Sequence, residues 1–140
     1  MITELHTVAL YVSNQDRAKR FYVDTLGFEV GADQQSPAGI GRWIEVRPRG
    51  AQTSFMLADA AGWNKQDRIG KSADVTLRCD DTQALYAELT AKGVPVTEPQ
   101  TQRFGTFIDV TDPDGNELRV VDMHGRTVSD HDGSSAQSSV

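Results

Sequence analysis

The chain has 140 residues, 38% hydrophobic and 24% charged, with a formal net charge of −6. That length supports one domain-sized core, and the composition is too apolar for a disordered chain. The acidic balance, with no run of Lys or Arg, argues against a nucleic-acid or anionic-membrane partner, and no apolar stretch approaches the roughly 18 residues of a membrane span. Cys79 is the single cysteine, so no intrachain disulfide can form and a reducing cytoplasm is the expected compartment. Met1–His6 has neither the basic start nor the apolar core of a signal peptide.

Val8, Leu10 and Val12 alternate with Thr7, Ala9 and Tyr11, the period of a half-buried strand. Asn14 or Asp16 then caps a helix predicted to run to about Thr25, with Ala18, Phe21, Tyr22 and Leu26 as its apolar stripe. Gly27 stops it, and Phe28–Val30 resumes an extended chain. Residues 33–41 read as a loop; Arg42–Arg47 and Ser54–Ala58 read as strands on either side of a turn at Pro48–Gly50. Residues 59–71 form a second long loop.

The second half repeats the order. Val75, Leu77 and Cys79 alternate with Asp74, Thr76 and Arg78. Asp80 or Asp81 caps a helix whose predicted stripe is Ala84, Leu85, Leu89 and Ala91, and Gly93 stops it. Val94–Val96, Thr106–Thr111, the turn Asp112–Gly115 and Glu117–Asp122 complete the series. Gly27 and Gly93 lie 66 residues apart, Val8 and Val75 67 apart, so one pattern of strand, helix, stop and strands occurs twice, with room for a further short strand in each half. The folded unit is expected over 1–124, as modules of about 1–60 and 70–124. The tail 125–140 has five serines and little to bury, and is expected to be disordered.

His6-Thr-Val-Ala-Leu-Tyr-Val-Ser, Asp16-Arg-Ala-Lys-Arg-Phe-Tyr22 and Leu26-Gly-Phe28 resemble the opening of glyoxalase and bleomycin-resistance-like proteins, of the vicinal oxygen chelate superfamily. Asp80-Asp, Tyr86-Ala-Glu-Leu, Lys92-Gly-Val94 and Asp112-Pro-Asp-Gly-Asn116 resemble its closing half. The resemblance covers residues 3–122. It implies an α+β fold of two tandem βαβββ modules forming an incomplete barrel around a cleft, with helices on the convex side, and a homodimer. Function does not follow from the fold, since such relatives include isomerases, epimerases, ring-cleaving dioxygenases, thiol transferases and proteins that sequester drugs.

Strand alternation then sorts the side chains. With Val8, Leu10 and Val12 under the helix, Thr7 and Tyr11 face the cleft, as do Ser54 and Met56, Asp74, and Glu117 and Arg119. Trp43, Phe104 and Phe107 add aromatic surface. Metal-dependent relatives place a ligand on the first and last strand of each module, and those positions here are Thr7, Ser54, Asp74 and Arg119. Thr and Ser are weak neutral donors and Arg has no lone pair, so no metal cofactor is expected. The expectation is a protein that binds a small organic molecule through Thr7, Tyr11, Trp43, Ser54, Met56, Asp74 and Arg119. Asp74 and Arg119 are expected to form an ion pair in place of the metal; they are also the candidate base and electrophile of a metal-free enzyme. The alternative is a metal-dependent lyase, isomerase or dioxygenase holding a divalent ion through His6, Asp74 and Glu117, or Glu45. Glu45 is otherwise read as a rim carboxylate out of phase with Trp43, Cys79 as an inert core thiol, and His124 and His131 as lying beyond the fold.

Overall fold

The computed structural model describes residues 1–36, 39–71 and 74–123. The predicted tail, His124 and His131 lie outside the described residues. The chain forms two units, Met1–Ala73 with Asp112–Asn116, and Asp74–Thr111 with the chain from Glu117 onward. Among the described residues each unit carries one four-stranded sheet with a single α-helix, and neither sheet closes into a barrel.

In the first unit β1 (Thr7–Val12), β2 (Glu29–Gln35), β3 (Arg42–Arg47) and β4 (Ser54–Asp59) are ordered β1-β4-β3-β2. β1 runs parallel to β4, with Thr7 opposite Ser54 and Leu10 opposite Leu57, while the other pairs are antiparallel. Asn14 caps α1 (Gln15–Arg20) by accepting from the Arg17 amide at 2.9 Å. The helix continues as a π-helical turn over Phe21–Thr25, closed by the Leu26 amide on the Phe21 carbonyl at 3.0 Å. This turn buries the adjacent Phe21 and Tyr22 together. Gly27 then takes φ +80°, the left-handed conformation that lets the chain leave the helix, and Gly93 does the same at φ +77° after the second helix.

Tyr22 is fully buried, with its ring 5.2 Å from Phe21, 5.6 Å from Phe28 and 5.7 Å from Phe55. Its hydroxyl donates to Asp112 Oδ2 at 2.7 Å. Asp112 is also buried; its two oxygens take the amides of Asp114 and Asn116 and the Asn116 Nδ2 as well, so the carboxylate is satisfied without a cation. Burial, and then the Asp112 charge, push the Tyr22 phenol far above its usual pKa, so it remains a donor. Leu10, Val12, Ile44, Val46 and Leu57 complete this core. At its edge Arg42 pairs with Asp16 at 2.7 Å and Asp33 at 3.0 Å, and Lys19 reaches Asp33 at 2.7 Å.

In the second unit β5 (Thr76–Arg78), β6 (Gln100–Gln102), β7 (Gly105–Thr111) and β8 (Glu117–Asp122) are ordered β5-β8-β7-β6, with β5 parallel to β8. Asp81 caps α2 (Thr82–Ala91) by accepting from the Ala84 amide at 3.0 Å. The buried stripe of α2 differs from the expected one. Ala84 and Ala91 are exposed, while Thr82 and Leu89 are fully buried with Leu85 and Tyr86 between them. The reason is Asp122: it accepts from the Thr82 amide and hydroxyl, each at 2.8 Å, so a polar residue can occupy the inward position. Two strands also differ in length from the sequence reading. β2 runs on to Gln35 because it pairs with β3 across a bulge between Val30 and Ala32, and β5 is confined to three residues.

Replacing Tyr22 with Phe removes one donor from a buried carboxylate and is expected to cost about 1–3 kcal/mol, read as a lower urea midpoint with an unchanged m-value. The Arg42 and Lys19 hydrogen bonds hold the Asp33 carboxyl down at about 2, against 3.8 when unperturbed. The unfolded chain therefore binds the proton first: the stabilisation from Asp33 is complete above pH 3.8 and is lost as pH falls towards about 2. Acid titration of stability should be shallower over that window in Asp33→Asn than in the parent chain.

Candidate functional site

Each sheet has one face under its helix and one turned away from it, and the candidate residues sort onto the second. In the first unit Phe55 and Leu57 of β4 lie on the core side with Tyr22, which puts Ser54, Met56 and Ala58 on the other face. Thr7 is opposite Ser54, Tyr11 opposite Ala58 and Glu45 opposite Met56, so Thr7, Tyr11, Trp43, Ser54 and Met56 share that face. Arg68, from a 3-10 turn over Gln66–Arg68, sits 5.6 Å from the centre of the Tyr11 ring.

Glu45 is not a rim carboxylate. Two residues from Trp43 on the same strand, it shares Trp43's face and accepts from the indole Nε1 at 2.7 Å through Oε2. It is 8% exposed, with His6 Nε2 3.5 Å from the same oxygen; His6 itself, just before β1, has a side chain 66% exposed. Ser54 is 1% exposed, and its hydroxyl has no hydrogen-bond partner among the described residues. On the same face Arg47 is committed to Glu29 at 2.9 Å.

In the second unit Arg119 makes a different ion pair from the one expected. Its Nε and Nη2 bond to the two oxygens of Asp109 at 2.9 and 3.1 Å, because antiparallel pairing sets Asp109 directly opposite. The Asp109 hydrogen bond raises the Arg119 pKa further, with Asp74 adding only a lesser, through-space contribution. Asp74 is exposed, as is Glu117. The guanidinium lies 3.9 Å from the centre of the Phe107 ring, and Phe104 stacks on Phe107 at 5.8 Å. Arg119, Asp109, Phe107 and Phe104 thus make a charged aromatic platform. Cys79 is half-buried, and burial raises its thiol pKa, which suits an inert thiol better than a nucleophile.

Among the described residues no three His, Cys, Asp or Glu side chains are placed to hold a metal ion. The hydroxyls of Thr7 and Ser54 are weak neutral donors and the guanidinium of Arg119 has no lone pair, so these positions do not supply the donors a divalent ion takes. The Asp112-x-Asp114-x-Asn116 spacing resembles the start of a calcium loop, but Asp112 is filled by protein donors. No helix among the described residues is long and apolar enough to cross a membrane.

The chain is similar to the uncharacterized protein YetH of Bacillus subtilis (strain 168), with 34% identity over 118 residues covering 83% of this chain and 95% of YetH. Among solved structures it is similar to TnmS3, an antibiotic binding protein from Streptomyces sp. CB03234, at 37% identity and a TM-score of 0.79, covering 87% of this chain and 97% of TnmS3. A superfamily member from Sphaerobacter thermophilus DSM 20745 is similar at 35% identity and a TM-score of 0.76, over 87% of this chain and 98% of that one. The model of the Glyoxalase/Bleomycin resistance protein/Dioxygenase superfamily matches residues 4–120, and with the paired β-α-β-β-β order now seen twice, the chain belongs to that family.

Proposed function

We propose that this protein binds a small organic molecule of antibiotic type on the helix-free faces of its sheets, without a metal, and sequesters it rather than converting it. The observation that carries the reading is the face of the first sheet turned away from α1. There Thr7 and Ser54 lie opposite each other, and Trp43, Tyr11, Met56 and the buried Glu45 share their face. Aromatic rings, a thioether and a few fixed polar groups suit a planar or amphipathic molecule better than a bare ion. The Phe104–Phe107–Arg119 platform offers the same chemistry in the second unit. TnmS3, at 37% identity, is an antibiotic binding protein, which supports the ligand class.

The reading includes a domain of two modules over 1–124, acting as a homodimer in the cytoplasm. Asp74 belongs to it as a lesser contact, since Asp109 and not Asp74 bonds to Arg119. A metal-dependent lyase, isomerase or dioxygenase is the competing reading. One observation favours it: His6 and Glu45 bring a nitrogen and an oxygen donor within 3.5 Å of each other.

A thermal-shift screen with aromatic and amphipathic antibiotics, followed by titration of tryptophan fluorescence, tests the proposal. Saturable binding is expected to survive EDTA and to weaken about tenfold or more in Trp43→Ala, with Trp63→Phe unchanged. Binding or turnover that disappears on chelation and returns with Zn, Ni, Mn or Fe(II) would establish the metal-dependent reading instead.

A further inference from the structure

A largely buried carboxylate draws donors to itself, and within the chain Glu45 is hydrogen-bonded through only one of its two oxygens among the described residues. The indole N–H of Trp43 supplies one hydrogen bond to Oε2 at 2.7 Å. His6 stands 3.5 Å from the same oxygen with an imidazole that is largely in solvent, so it offers a weak and displaceable partner. Oε1 bonds to none of the described residues and is reached by solvent, so it is open to an incoming donor. Of the guanidinium groups placed on this face, Arg47 already serves Glu29 and Arg68 lies over the Tyr11 ring. By contrast, the carboxylates of Asp112 and Asp122, buried on the core sides, are held by several protein donors.

A second observation lies beside it. Ser54 is diagonal to Glu45 across β3 and β4, on the same face, and its hydroxyl is buried without a partner among the described residues. A buried hydroxyl without a partner is costly, and a ligand N–H group that bonds to it and also reaches the open oxygen of Glu45 relieves that cost. The ring of Trp43 and the sulfur of Met56, directly opposite Glu45, add the soft, electron-rich surface that organic cations prefer.

We infer that Glu45, fixed by Trp43 and flanked by Ser54, is a recognition point for a protonated amine on the bound molecule. This rests on the small-molecule reading above and narrows it: the ligand joins an unsaturated or aromatic skeleton to an organic ammonium group. The ammonium meets Oε1 of Glu45 and the Ser54 hydroxyl, and His6 turns outward to admit it.

Benzylamine, benzyl alcohol and benzoate form a matched series of cation, neutral isostere and anion at about pH 7. The readout is the Trp43 indole N–H resonance, distinguished from that of Trp63 in a Trp63→Phe background. Benzylammonium is expected to shift that resonance saturably and to bind about tenfold or more tightly than benzyl alcohol, with benzoate weakest. Glu45→Gln keeps an acceptor for the indole and removes only the charge, so it should erase the preference while the remaining amide spectrum stays native. His6→Gln should retain or strengthen it. Equal binding of benzylammonium and benzyl alcohol, or a preference that persists in Glu45→Gln, overturns the ammonium assignment and leaves the small-molecule reading standing. Saturation by none of the three overturns the subsite.

Discussion

The first sheet depends on where Tyr22 goes. Its ring closes a group with Phe21, Phe28 and Phe55, and its hydroxyl ends on a buried carboxylate that other donors already surround. Such a contact tolerates no slip. Moving β4 by one residue would carry Phe55 to the opposite face and bring Ser54 or Met56 against the aromatic rings. Holding Phe55 inward therefore also holds Ser54 and Met56 outward, and pairing with β4 carries Thr7 and Glu45 with them. The arrangement of the proposed site follows from the packing of the opposite side of the sheet.

The second unit reaches the same division by a polar route. Where α1 buries aromatic rings, α2 buries Thr82, and Asp122 satisfies its amide and hydroxyl. This fixes the C-terminal end of β8 and, through alternation, turns Arg119 to the helix-free side. There the guanidinium is taken up by its cross-strand neighbour Asp109 and lies over Phe107. A half-exposed ion pair of this kind contributes little to stability; its effect is to hold the guanidinium flat over the ring. The two helix-free faces consequently differ, one presenting a paired cation on aromatic rings, the other a largely buried carboxylate held by an indole N–H.

Much of this was legible in the sequence because period-two alternation and Gly stops carry it. Strands β1, β3, β4, β7 and β8 fall where alternation places them, and Ala18, Phe21 and Tyr22 are buried as the first helix's spacing requires. The α2 stripe misled because a buried Thr is visible only once Asp122, 40 residues away, is known to sit beneath it. Asp109 could have been found from the chain alone: Thr111 opposite Glu117 across the Asp112–Asn116 turn brings Asp109 opposite Arg119. Glu45 was open to the same arithmetic, since residues two apart on a strand share a face, and Trp43 is two away. The unpaired state of Ser54 and the position of Arg68 over Tyr11 depend on packing that no local pattern encodes.

The central claim is that the helix-free faces, and not the helical sides, are the ligand surface. Mapping amide and side-chain chemical shifts across the whole isotope-labelled chain, with an antibiotic hit from the screen, tests it most directly. Shifts are expected to concentrate on Tyr11, Trp43, Glu45, Ser54 and Met56 in the first unit, or on Phe107 and Arg119 in the second, while Ala18, Tyr22, Thr82 and Leu89 stay in place. Shifts centred on α1 and α2, with the Trp43 indole unmoved, would contradict it.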